Sequence, residues 1–181
     1  NIIDSEVWSF GPAVFYRGGR DDDVDDRAVK NMVEIDDAFE LGAFVGFMIR
    51  DENNPRIRYG MYLDFLTDVS GEHEGFTIQM SGRAWYPASE MFDVGIVGGI
   101  TYADDDYMST YFGITPANVG TSGLALFEAD GGFKDIYIQP MVMAHFSRSW
   151  HMAAGVRIKS LLSDAKDSPV TDNRGDSTQM I

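Results

Sequence analysis

The sequence contains no cysteine, which excludes disulfide scaffolds, thiolate metal sites, dithiol redox motifs and cysteine nucleophiles together. It also has no uninterrupted apolar run near the roughly 18 residues of a spanning helix. Its first residues, NIIDSEVW, lack the basic and apolar regions of a signal peptide. Histidine is scarce, with three in the chain. Basic residues are scarce as well: 14 Lys plus Arg stand against 29 Asp plus Glu, a formal charge of −15. Such a chain has no basic face with which to neutralise phosphates, so nucleic acid is not an expected partner.

What is present is apolar. Hydrophobic residues make up 44 % of the 181 residues and aromatics 13 %, too much for a disordered chain, and the length is that of one domain, residues 1–181. These residues alternate with period 2, the strand signature, in seven segments: 8–17, 39–50, 57–68, 76–86, 92–102, 135–146 and 150–160. In the second, Phe39, Leu41, Ala43, Val45, Phe47 and Ile49 share one face, opposite Glu40, Gly42, Gly46 and Arg50. The seven apolar faces hold 41 positions and not one Asp, Glu, Lys or Arg, where the chain average would place about ten. The opposite faces carry Arg17, Glu40, Arg58, Asp64, Arg83, Asp93, Asp135, Arg157 and Lys159 among glycine, alanine and serine.

The connections alternate in length. Those after the second, fourth and sixth segments are tight (DENNP, PASE, SRS), whereas those after the first, fifth and seventh are long and rich in Asp, Gly and Ser. Short turns at one end and long loops at the other mark an up-and-down antiparallel barrel of outer-membrane type. Aromatics fall where two interfacial girdles belong: Tyr16, Phe39, Phe65, Phe76 and Tyr102 towards the long loops, and Trp8, Phe47, Tyr59, Tyr86, Phe92, Phe146 and Trp150 towards the short turns. A soluble, lipocalin-like barrel shows the same alternation with its apolar face inward. The Gly, Ala and Ser of the polar face suit a crowded lumen better than a solvated surface, which favours lipid outside. The predicted fold is therefore an all-β transmembrane barrel of antiparallel strands whose lumen pairs most of its charges and is narrow or plugged.

Motifs for chemistry are few. Asp21, Asp23 and Asp25 have the spacing of an EF-hand loop, but Asp26 stands where glycine is needed and Met32 where a bidentate glutamate belongs. The run Asp104, Asp105, Asp106 also fails and is expected to be a solvated acidic loop. No nucleophile elbow, phosphate loop or H-E-x-x-H motif occurs, so no catalytic, cofactor or metal site is expected and the protein is read as non-enzymatic. The one enzymatic alternative is a rim hydrolase joining His73 to Asp68 or to the Asp104 run. His73 is read instead as an ordinary loop histidine.

Several blocks in order resemble one family. They are ADDDYMSTYFGITPANV at 103–119, SGL at 122–124, GGFKDI at 131–136, and LLSDAKDSPV followed by RG at 161–175, with GPAVFYRGGRDDD, DDAFELGAFVGF and DVSGEHEG before them. The pattern resembles the MipA/OmpV family, the MltA-interacting protein and its OmpV-like relatives. The family-motif loop comprises Asp104, Asp105, Asp106, Tyr107, Tyr111, Phe112, Gly113 and Pro116.

The resemblance implies the outer membrane of a Gram-negative bacterium, with lipid and lipopolysaccharide as surroundings. It also implies a scaffold in the cell envelope between a peptidoglycan-degrading lytic transglycosylase and a murein synthase. A small-solute channel and a surface adhesin or antigen are the alternatives. Seven strands and the start of an eighth fall short of a barrel of about 10–12, so the chain is expected to be part of a longer one.

Overall fold

A computed structural model describes residues 3–4, 7–20, 26–147, 149–172 and 177–180. Its elements, in order, are β1 (Ile3–Asp4), β2 (Trp8–Arg17), α1 (Arg27–Lys30), β3 (Ala38–Arg50), β4 (Arg58–Asp68), β5 (Phe76–Pro87) and β6 (Phe92–Ala103). There follow α2 (Asp105–Phe112), α3 (Pro116–Ser122), β7 (Gly132–His145), β8 (His151–Gly155), β9 (Ile158–Leu161), α4 (Ser163–Asp167), α5 (Pro169–Asp172) and β10 (Thr178–Met180). Each strand pairs antiparallel with its sequence neighbour, giving one up-and-down sheet. Residues from β2, β4, β5, β6, β7 and β9 line one cavity, so the sheet is strongly curved. This is consistent with a barrel, although among the described residues no ladder joins the first strand to the last. Among the described residues no helix is long and apolar enough to cross a membrane.

The wall is inside-out relative to a soluble protein. Val14, Leu41, Met61, Leu63, Met80, Ile96, Ile138, Val142 and Met152 are exposed on the convex face, while Glu40, Thr77, Ser81, Asp93, Thr101 and Asp135 are buried on the concave one. The lipocalin-like arrangement is thereby excluded, because its apolar face would be the buried one. A concavity of about 610 Å³ is an apolar dent in the outer wall, where the register partners Gly82 and Gly98 lack side chains between Met61, Met80, Ile100 and Ile138. The long-loop girdle is a chain of ring contacts, Phe65–Phe76–Tyr102–Phe133, with centroids 5.6, 6.3 and 6.1 Å apart, and a separate Tyr16–Phe39 pair at 5.1 Å.

The seventh predicted segment is two strands. Val156 N–H donates to the Pro140 carbonyl at 3.2 Å, but Pro140 has no N–H to return, and the ladder lapses between β8 and β9 without changing register.

The long loops are not simply solvated. Their short helices pack into two apolar clusters, Ala103, Tyr107, Met108, Ala129, Leu161 and Ala165 in one and Ala28, Val29, Met32, Ile114 and Leu124 in the other. The conventional core thus sits in a cap over one end of the sheet. The acidic run at 104–106 is part of it. Asp104 caps α2, accepting from Tyr107 N–H at 3.2 Å and from Phe76 N–H at 3.0 Å, and Asp105 accepts from Gly131 N–H at 2.6 Å. Asp105 and Asp106 also face the helix dipole favourably. Thr115 caps α3, Pro116 opens it, and Gly123 ends it at a φ of 72°, which a side chain would strain. Asp26 caps α1, while Asp21, Asp23 and Asp25 lie outside the described residues.

Candidate functional site

The concave face has three polar groupings. At the cap end, Arg17 grips Glu40 with two nitrogens, Nε to Oε1 at 2.6 Å and Nη2 to Oε2 at 3.0 Å. The β4–β5 loop adds His73, whose ring is fully buried. Gly75 N–H donates to His73 Nδ1 at 3.1 Å, which assigns the proton to Nε2, and Nε2 donates to Glu40 Oε1 at 3.0 Å. Asp68 does not meet the imidazole. It organises the loop instead, accepting from the N–H groups of Ser70, His73 and Glu74 and from the Ser70 hydroxyl. From α2, Tyr107 and Tyr111 close over His73 with ring centroids at 5.1 and 5.6 Å. Burial pushes the Tyr107 phenol up to about 12 and raises that of Tyr111 as well, and the Tyr111 hydroxyl is buried without a hydrogen-bond partner. Outside the wall, the Tyr16 hydroxyl and the Gly19 N–H hold the Asp37 carboxyl below its ordinary range.

Below the cap, in the half of the interior nearer to it, is a polar cavity of about 380 Å³, bounded by Arg17, Asp64, Gln79, Thr101, Lys134, Asp135, Tyr137, Arg157 and Lys159 among others. Lys134 was not among the expected lumen charges. A bulge between Thr101 and Tyr102 makes it the extra residue of β7, so Lys134 and Asp135 both turn inward. Lys134 Nζ lies 2.7 Å from Asp135 Oδ2, and Thr101 donates to Asp135 Oδ1 at 2.9 Å.

At the short-turn end, Asp93 is fully buried. Arg56 Nε donates to its Oδ1 at 2.8 Å, and Arg56 Nη2 reaches the Ser89 and Phe92 carbonyls, tying two turns together. His145 Nε2 lies 2.9 Å from Asp93 Oδ2, and His145 Nδ1 lies 2.8 Å from His151 Nδ1.

Between these groupings the expected pairing of lumen charges holds only in part. Among the described residues Arg58, Arg83 and Arg157 make no ion pair or hydrogen bond with a carboxylate and lean on aromatic rings, Trp85 at 5.2 Å, Tyr62 at 3.5 Å and Tyr137 at 4.5 Å, although Arg83 is near enough to Asp64 for the two charges to attract. Each of these rings lies over a glycine directly opposite on the next strand. A Cβ on Gly46 would come within 2.4 Å of Tyr62, one on Gly95 within 2.7 Å of Trp85, and one on Gly99 within 2.6 Å of Tyr137. Three layers of glycine, ring and guanidinium therefore occupy part of the interior, and the Tyr137–Arg157 layer borders the cavity. A charge beside an aromatic face is stabilised without a counter-ion.

The blocks that carry the family likeness build the cap and this interior. The profile described as MltA-interacting protein MipA matches residues 1–181, the whole chain. The chain belongs to the MipA family. No curated protein and no solved structure matches it. Of the MipA-family loop residues, Tyr107 and Tyr111 cover the Glu40–His73 pair, Phe112 accepts a hydrogen bond from Ser168 at its carbonyl, Gly113 closes α2, and Asp106 is exposed. RG at 174–175 lies outside the described residues.

Proposed function

We propose that this protein is a non-enzymatic outer-membrane barrel that binds a murein lytic transglycosylase, holding it beside a murein synthase. The observation that carries the membrane part is the inverted wall. A continuous apolar belt with aromatic edges is unstable in water and suits a hydrocarbon layer about 25 Å tall. Membership of the MipA family supports the partner. The non-enzymatic reading is supported by His73, whose two ring nitrogens are both engaged, by Glu40 and by the Gly75 N–H.

In this orientation the short turns face the periplasm, where peptidoglycan enzymes work. The rim they form is rigid, because Arg56 bridges the 51–57 turn to the 88–91 turn through Asp93, Ser89 and Phe92. The third turn, 147–149, includes Arg148, which lies outside the described residues. The test is capture of a purified membrane-bound lytic transglycosylase by the protein in detergent. Replacing the exposed Glu52, Asn53 and Glu90 together by alanine and serine should abolish capture while leaving the heat-dependent gel shift of a folded barrel intact. Capture unchanged by that replacement, or absent with the unaltered protein, overturns the proposal.

A further inference from the structure

Although the chain is strongly acidic, the 380 Å³ interior cavity is cationic. Its boundary holds Arg17, Lys134, Arg157 and Lys159 against Asp64 and Asp135. Two of these cations are committed, Arg17 to Glu40 and Lys134 to Asp135. The other two are not matched by carboxylates. Arg157 uses Nε on Gln139 Oε1 at 2.9 Å and stacks on Tyr137, while its terminal nitrogens make no hydrogen bond among the described residues. The Lys159 ammonium makes no hydrogen bond or ion pair among them. It is the register partner of Tyr137, two residues from Arg157 on the same face. The Tyr137 hydroxyl accepts from Gln79 Nε2 at 3.4 Å, which leaves its own proton to donate. Ammonium, guanidinium edge and phenol thus converge on one cavity as uncommitted donors. Of the two carboxylates, Asp135 is held by Lys134 and Thr101, leaving Asp64 as the only opposing charge among the described residues of the boundary.

We propose that this cavity binds a small solute bearing carboxylate or phosphate groups, held by Lys159, the terminal nitrogens of Arg157 and the Tyr137 hydroxyl. Oxyanions match the donor set, since a guanidinium edge and an ammonium recognise paired oxygens and charge-assisted hydrogen bonds are the strong ones. The volume lies at the lower end of small-molecule pockets, roughly 300–1,000 Å³, which limits the solute to a small one. The inference is independent of the transglycosylase reading, because the cavity lies within the wall and the rim turns do not line it.

The test is isothermal titration of the detergent-solubilised protein with citrate and, separately, with inorganic phosphate; the tighter probe identifies the oxyanion. Lys159→Met should weaken the better probe by about tenfold, the effect of one charge-assisted hydrogen bond. Asp64→Asn should tighten it several-fold by removing the opposing charge. Raising NaCl from about 0.02 M to about 0.5 M should weaken binding, as the Debye length shortens. Binding of neither probe by the unaltered protein overturns the proposal, as does K159M binding like the parent. If K159M loses the folded-barrel gel shift, D64N decides alone: tighter binding supports the site and unchanged affinity refutes it.

Discussion

Replacing Glu40 by alanine removes the acceptor on which the cap end of the interior converges. The Glu40 side chain is 1 % exposed and that of Arg17 is 21 % exposed, so the guanidinium left behind is partly, not fully, reachable by water. Breaking a buried ion pair from one side costs about 3–5 kcal/mol, and the exposure of Arg17 places this one near the lower end. His73 Nε2–H, in a ring with no exposure, loses its acceptor as well, which adds about 1 kcal/mol. The expected loss is about 4 kcal/mol, roughly three powers of ten in the folding equilibrium. It should be read from urea unfolding in lipid vesicles, followed both by tryptophan fluorescence and by the mobility of unheated samples on gels. Adding Arg17→Met removes the stranded charge and should recover about half of the loss. A loss below about 1 kcal/mol for E40A, or a double variant no more stable than the single one, would refute the electrostatic account of this site.

Two further outcomes follow from the interior packing and the cap. Gly99→Ala puts a methyl group 2.6 Å from the Tyr137 ring, which is pinned under Arg157, and should lower the urea midpoint by the equivalent of about 1–3 kcal/mol; adding Tyr137→Leu should restore it, and an unshifted midpoint for G99A would contradict the layered packing. Tyr107, raised to about 12 from 10.0, keeps its proton longer in the folded state than in the unfolded one. The folded protein therefore binds more protons above pH 10, so stability is at its full value below pH 10, where this group gives no pH dependence, and falls as pH rises from there through about 12. Tyr107→Phe should remove that part of the alkaline loss, and identical alkaline profiles for variant and parent would show that Tyr107 is not its source.

The strands were legible because little besides a half-buried strand keeps apolar and polar residues alternating over about a dozen positions. Every predicted segment lies on a strand of the sheet, apart from the interruption that Pro140 imposes from the neighbouring strand. The cap was hidden for the converse reason. Helices of four to eight residues are too short to show a period, and the caps of α1 and α2 are aspartates, Asp26 and Asp104, that read as parts of solvated acidic runs. His73 stands out in the sequence, but its partner Glu40 lies 33 residues away on another strand, whereas the nearer Asp68 binds backbone. Tyr62, Trp85 and Tyr137 share the inward faces with the charges, and charge alone does not single them out. The signal that could have found them is the glycine opposite each ring in the register. Lys134 has the parity of the outer face, and a bulge reverses it.

Many inward charges of the wall meet their partners on an adjacent strand. Arg17 meets Glu40 within the β2–β3 hairpin, and Arg58 meets Trp85, and Arg83 Tyr62, within β4–β5. Asp135 meets Thr101, and His145 Asp93, within β6–β7, while Arg157 lies over Tyr137 between β7 and the strands that follow it. The exceptions, Arg56 to Asp93 and His73 to Glu40, start from a turn and a loop. Each of the hairpin contacts joins neighbouring strands of the sheet, so the partner of an inward charge arrives with the next hairpin and not with a strand from across the sheet. In the proposed membrane setting each of these hairpins carries the partners of its own inward charges, and Lys159, which has none among the described residues, keeps its charge for the interior cavity.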